Sequence, residues 1–127
     1  MSNSDIDRQI EACVERNLLE RKRIEQQQDR MKKERGLLNQ IEDEVDMDTR
    51  RVHNILENYL YKNDPSLHNI VIAGQNEISY SQSQMQLAID QSYQDLAVRE
   101  RKLASQLEEQ QREYREELRN IEKEDAQ

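Results

Sequence analysis

Counted in steps of seven from Ile10, the chain passes Ile10, Asn17, Ile24, Met31, Leu38, Val45, Val52 and Tyr59, and seven of these eight are apolar. A seven-residue repeat sustained this far predicts a helix under-wound into a left-handed supercoil, because an ideal 3.6-residue helix would drift off the seam. With that column as heptad position a, the d column reads Ile6, Cys13, Glu20, Gln27, Glu34, Ile41, Asp48 and Ile55, and only its two ends are well stocked. Asn17 in the a column has two readings: a buried polar residue that sets register or partner choice, or a solvated residue in a frayed end.

In the second half Leu67, Val71, Gly74, Ile78, Ser81 and Met85 follow alternating steps of four and three. A different phase begins at Ile89 and runs through Tyr93, Leu96, Glu100, Leu103, Leu107, Gln110, Tyr114, Glu117 and Ile121. The two phases meet in consecutive steps of four, Met85 to Ile89 to Tyr93, a stutter that relaxes the supercoil locally. The stretch between Gly74 and Asp95 is rich in Gln and Ser and has no Lys or Arg, yet its seam persists and predicts helix.

Pro65 is the only proline, with Asp64 before it as the expected N-cap and Pro65 at the first helical position, where its missing N–H costs nothing. The expected architecture is all-α, one long antiparallel two-helix hairpin (a coiled coil) across residues 1–127. Helix 1 is expected at about 4–62, the turn at about 63–66 and helix 2 at about 66–124. Folding back there sets residues whose numbers sum to about 130 opposite each other: Val52 near Ile78, Val45 near Met85, Leu38 near Ile89 or Tyr93, Ile24 near Leu103 and Leu107. The apolar seams then meet along their length, which is the best support for a hairpin.

Composition agrees with few turns and a thin core. Only 34% of the residues are hydrophobic and 36% are charged, with two glycines and neither Phe nor Trp. The net charge of −8 argues against a nucleic-acid partner, which needs a dedicated basic face. The nearest to such a face is residues 16–35, with eight basic and four acidic side chains, read as a solvated helix surface. A weaker alternative makes Arg21, Lys22, Arg23, Lys32, Lys33 and Arg35 an adaptor surface for anionic lipid or DNA.

The start, "MSNSDIDRQI", shows no basic segment followed by an apolar one, so no secretory signal peptide is expected. The longest purely apolar run, residues 70–73, is far below the ~20 residues that span a bilayer, and no membrane insertion is expected. The expected location is the cytoplasm. Cys13 is the single cysteine and His53 and His68 lie outside any metal-ligand spacing. The carboxylates at 42–44, 46 and 48 lack the glycine and alternating spacing of a calcium loop. No catalytic residue, metal or cofactor is expected, because two helices alone offer no concave, water-excluding pocket.

A two-helix hairpin buries one stripe per helix, so surplus apolar residues carry information. Leu18 and Leu19 fall at positions b and c, and Leu60 and Tyr61 do the same beside the break. With Tyr59, Leu67, Ile70, Val71 and Ile72 these make the candidate partner-binding set, on the reasoning that large exposed apolar patches mark partner surfaces. Local curling of the tip, helped by Gly74, is the competing account. A third and fourth helix from another chain would cover the surplus.

Three segments, "DIDRQI", "VHNILENYLYKND" and "LAVRERKLASQLEEQQREYREEL", give the chain a resemblance to the small α-helical proteins encoded beside LXG toxins of Gram-positive type VII secretion, specifically the second toxin-associated family. The resemblance implies a non-catalytic, WXG-like helical hairpin that acts as a targeting chaperone. It would bind the helical N-terminal LXG region of a toxin and, with a sister small helical protein, support export, leaving the cell with the toxin in one version. This chain has "NDPS" where WXG-type proteins carry Trp-x-Gly in the turn. Tyr114 is followed four residues later by Leu118 rather than by the acidic residue of an export signal, so any such signal is expected on a partner. The alternative is a structural coiled-coil assembly or export-apparatus hairpin, including a homodimeric four-helix scaffold.

Overall fold

In the computed structural model, residues 3–60 and 65–126 are described, and they form two α-helices packed against each other, α1 (Asn3–Leu60) and α2 (Pro65–Ala126). The expected N-cap Asp64 and the first half of the expected turn lie outside the described residues, and its second half, residues 65 and 66, is already helix. Pro65 opens α2, where its missing N–H is one of the first-turn donors that have no intrahelical acceptor in any case. Asp5 in the first turn of α1 and Lys123 in the last turn of α2 complement the helix dipoles.

The Ser- and Gln-rich stretch is helical throughout, and two of its hydroxyls bond back to the preceding turn. Ser83 donates to the Ser79 carbonyl and Ser92 to the Ala88 carbonyl, both at 3.0 Å, so neither competes for a loop conformation. Gly74 sits well inside α2, and a Cβ built on it would reach Leu56 at 3.8 Å, an ordinary packing distance. It supplies no curl.

The packing divides into two compact units, one of Met1–Lys32 with Ala97–Gln127 and one of Lys33–Leu96. In the first unit Ile6, Cys13 and Ile121 form a buried cluster, with Ile10, Tyr114 and Leu118 packed against it. Ile24 and Leu103 are buried in the same unit. Arg16 pairs with Glu117, and Gln110 donates a side-chain hydrogen bond to Asn17. In the second unit Tyr93 donates to Asn39, Gln86 donates to Glu42 at 3.2 Å, and Leu56 lies against Gly74. Across these pairs the α1 number rises as the α2 number falls and their sum stays between 127 and 133, the antiparallel ladder that the sequence implies.

The predicted α2 seam from Ile89 to Ile121 is buried or half-buried at all ten positions. The α1 columns hold as far as Met31, apart from an exposed Glu20. In the second unit both helices depart from the expected phase. Leu38 and Val45 remain on the inner side of α1, but Arg35, Glu42, Thr49 and Leu56 join them in place of the expected Glu34, Ile41, Asp48 and Ile55. Val52 and Tyr59, expected on the seam, are exposed. On α2, Gln82 and Gln86 are half-buried where Ser81 and Met85 were expected, which moves the stutter to Ile78, Gln82 and Gln86.

Satisfied polar groups explain the exchange. Arg35 stacks on the Tyr93 ring with its Cζ 5.8 Å from the centroid, and Gln86 donates both to Glu42 and to Asp90. Thr49 donates to the Val45 carbonyl at 2.7 Å and so turns only its methyl to the neighbouring helix. Arg35, Glu42, Gln86 and Thr49 each have a partner, and turning them inward does not carry the cost of an unmade hydrogen bond.

Candidate interaction surface

All three buried residues of α1, Ile6, Cys13 and Ile24, belong to the first unit, whereas the second unit buries only α2 side chains, Val71, Ile89 and Leu96. The α1 segment 33–60 is nonetheless rich in large apolar residues. Leu37, Ile41, Val52, Ile55 and Tyr59 are between 38 and 59% exposed. At about 100° per residue these five fall within an arc of roughly 60°. They form one stripe beside the α2 contact, with Glu44 and Asp48 as its central positions.

Where this stripe meets α2 there is a groove of about 320 Å³, lined by Val45, Asp48, Thr49 and Val52 from α1 and Glu77, Ile78, Ser81, Gln82 and Met85 from α2. Its origin lies in the opposed steps of four. Val45, Thr49 and His53 on α1 face Ile78, Gln82 and Gln86 on α2, and two successive fours rotate each contact line away from the residues that a heptad would have turned inward. Val52 and Met85 are thereby left on the groove wall. Exposed Ile70 extends the same side of α2 by two turns.

The candidate partner-binding residues are distributed unevenly. Leu18 and Leu19 are exposed but belong to the first unit, whose neighbouring charges are paired within the helix, Arg21 with Glu25 at 3.1 Å and Arg23 with Glu20 at 3.3 Å. Ile70 and Ile72 are exposed and Tyr59 is exposed on the α1 stripe, while Leu60 and Leu67 are half-buried. Val71 is a correction: at 5% exposure it faces into the hairpin, because it shares the inward phase of Leu67, Gly74 and Ile78. Tyr61 lies outside the described residues. Ile41, Val52, Ile55 and Met85 escape the sequence argument because they are the residues a heptad assigns to the hairpin's own seam.

Among the described residues no group of three or more His, Cys, Asp or Glu is placed to hold a metal ion, and no helix is long and apolar enough to cross a membrane. Burial pushes the Cys13 thiol above its ordinary range, and its hydrogen bond to Glu117 and that carboxylate's charge add to the effect, with Arg16 opposing. The thiol is inert and structural, with 1% of its residue surface exposed. Compared with known proteins, the chain matches no family model, no curated protein and no solved structure.

Proposed function

We propose that this protein is a non-catalytic helical partner protein that receives helices of another protein on the apolar face of its second unit. The observation that carries this reading is the inversion of α1 between residues 33 and 60, where polar groups turn toward α2 and the isoleucines turn away. An amphipathic helix whose better apolar stripe faces outward inside its own hairpin has a second surface to cover.

Magnitudes set how large the cover is. Fully burying a Leu, Ile or Val side chain contributes ~1.5–3 kcal/mol, so completing the cover of five half-exposed residues contributes on the order of 5 kcal/mol. Association costs ~4–15 kcal/mol in lost freedom, so the stripe alone does not hold a complex. The groove and Ile70 have to be covered with it, which calls for one or two helices of several turns rather than a short peptide.

The resemblance to the LXG-associated proteins supplies the partner class: the helical N-terminal region of a type VII secretion toxin, bound together with a sister small helical protein and kept ready for export. Co-expression of this chain with the LXG protein encoded beside it tests the reading. A complex that survives purification, with the toxin poorly soluble in its absence, is the expected result. An adjacent region without an LXG gene, or a tight homodimer by light scattering that ignores the toxin, rejects it.

A further inference from the structure

We propose that the helix seated on the second unit is basic at its centre: an amphipathic helix from another protein that presents Lys or Arg to Glu44, Asp48 and Glu77 and apolar side chains to either side. This rests on the partner-binding reading above and adds the chemistry of the occupant.

Charge is the first argument. Residues 33–96 hold five Lys and Arg against eleven Asp and Glu, a net −6 out of the chain's −8. No Lys or Arg occurs between residues 64 and 98, so the α2 wall of the groove has no cation of its own. The groove lining contains two charged residues, Asp48 from one helix and Glu77 from the other, and both are carboxylates. Arg51 lies 3.9 Å from Asp48 with both side chains mostly exposed, a loose pair that an incoming guanidinium can share.

The second argument is order along the stripe. Leu37 and Ile41 lie at one end, Glu44 and Asp48 in the middle, and Val52, Ile55 and Tyr59 at the other end. A complementary helix therefore reads apolar, basic, apolar over about six turns. A second copy of this chain docking stripe to stripe does not fit. Asp48 is eleven residues from both Leu37 and Tyr59, so pairing two stripes in either orientation sets Asp48 against Asp48 while they bury their apolar ends. Cations on the partner convert that central cost into charge-assisted pairs that steer docking and fix register.

Three labelled helical probe peptides of equal length test this on the full chain by fluorescence anisotropy. The first has apolar ends and a Lys/Arg centre, the second the same ends with a Glu centre, and the third the composition of the first with its apolar stripe scrambled. The first is expected to bind at least ten-fold more tightly than the other two and to weaken between 50 and 300 mM NaCl. Asp48→Lys with Glu77→Lys should reverse the preference between the first two, and Ile55→Asp should weaken the first at least ten-fold. All three substituted sites are on the surface, so helicity by circular dichroism should stay at the wild-type level.

Equal binding of the first two peptides, or of the first and third, overturns the proposal, as does a charge-reversed variant that keeps the original preference. A dimer in sedimentation that Ile55→Asp dissolves and the first peptide leaves intact assigns the face to a second copy and also overturns it. If peptide discrimination holds but no complex forms with an LXG protein, only the toxin assignment falls.

Discussion

Replacing Asn17 and Gln110 together by leucine isolates a hydrogen-bonded polar layer that the first unit builds into its seam. Gln110 donates to the Asn17 side chain and lies 3.4 Å from the Asn17 carbonyl, and its own Oε1 is buried without a hydrogen-bond partner. Leaving that acceptor unsatisfied costs ~1–3 kcal/mol, and the hydrogen bond it accompanies returns ~1 kcal/mol. Both positions are half-buried, so each leucine contributes about half of its full burial value, ~1 kcal/mol. The double variant should then be about 2–4 kcal/mol more stable than wild type. Asn17→Leu alone leaves the Gln110 amide only its long contact to the residue-17 carbonyl and should be neutral to ~1 kcal/mol destabilising, while Gln110→Leu alone should be neutral to ~2 kcal/mol stabilising. The cycle therefore closes with a coupling of ~2–3 kcal/mol. Urea unfolding followed at 222 nm, with the slope compared between variants, measures all four corners. A coupling below ~0.5 kcal/mol, or an Asn17→Leu protein as stable as the double variant, would refute the idea that these residues act as one buried pair. The same substitution removes the register constraint, so the double variant should also populate mispaired or oligomeric species that size exclusion resolves.

Three other outcomes test the packing. Gly36→Ala adds a Cβ that meets nothing within 4 Å and should stabilise α1 by ~0.5–1 kcal/mol, read as a higher urea midpoint. Buried Ile24 and exposed Ile55 should respond differently to alanine, with a loss of ~2–4 kcal/mol at Ile24 and within ~0.5 kcal/mol at Ile55; equal losses would mean that the second unit buries its α1 stripe after all. The Cys13 thiol ionises above its ordinary 9.0 because burial first, and then Glu117, disfavour the thiolate. The folded state therefore favours the neutral thiol, and that contribution is complete below pH 9 and lost as pH rises beyond it, so wild type should lose stability relative to Cys13→Ala as the pH is raised above 9.

The two helices, the position of Pro65 and the antiparallel ladder were all legible because they depend on properties of single residues and on simple counting. The seam from Ile89 onward was legible too, since its inward positions Leu96, Leu103, Leu107 and Ile121 are apolar at heptad spacing. What sequence reasoning could not reach was the inward face of α1 between 33 and 60. Arg35 and Glu42 face α2 because Tyr93 and Gln86 are there to receive them, Thr49 is satisfied within α1 by the Val45 carbonyl, and a partner on the other helix is invisible to a count of apolar positions. Ile41 and Ile55 were assigned to the seam for being isoleucine, and their outward placement follows from the polar residues taking the inner line. Val71 was rightly placed on the α2 seam, and counting it also in the partner-binding set came from reading it as part of an apolar run whose four members point in different directions around the helix.

A helix segment that buries no side chain in its own unit has little to hold it closed. Residues 33–60 of α1 are tied to α2 by half-covered apolar contacts and by hydrogen bonds that water can replace, whereas residues 3–32 are anchored by Ile6, Cys13 and Ile24. The free energy of local opening should therefore fall along α1 from its first half to its second, and backbone amides beyond Lys33 should exchange with deuterium well before those around Cys13. Docking of a helix on that face then acts chiefly on time: the opened state becomes rarer, and α1 acquires along its second half the slow exchange that its first half has alone.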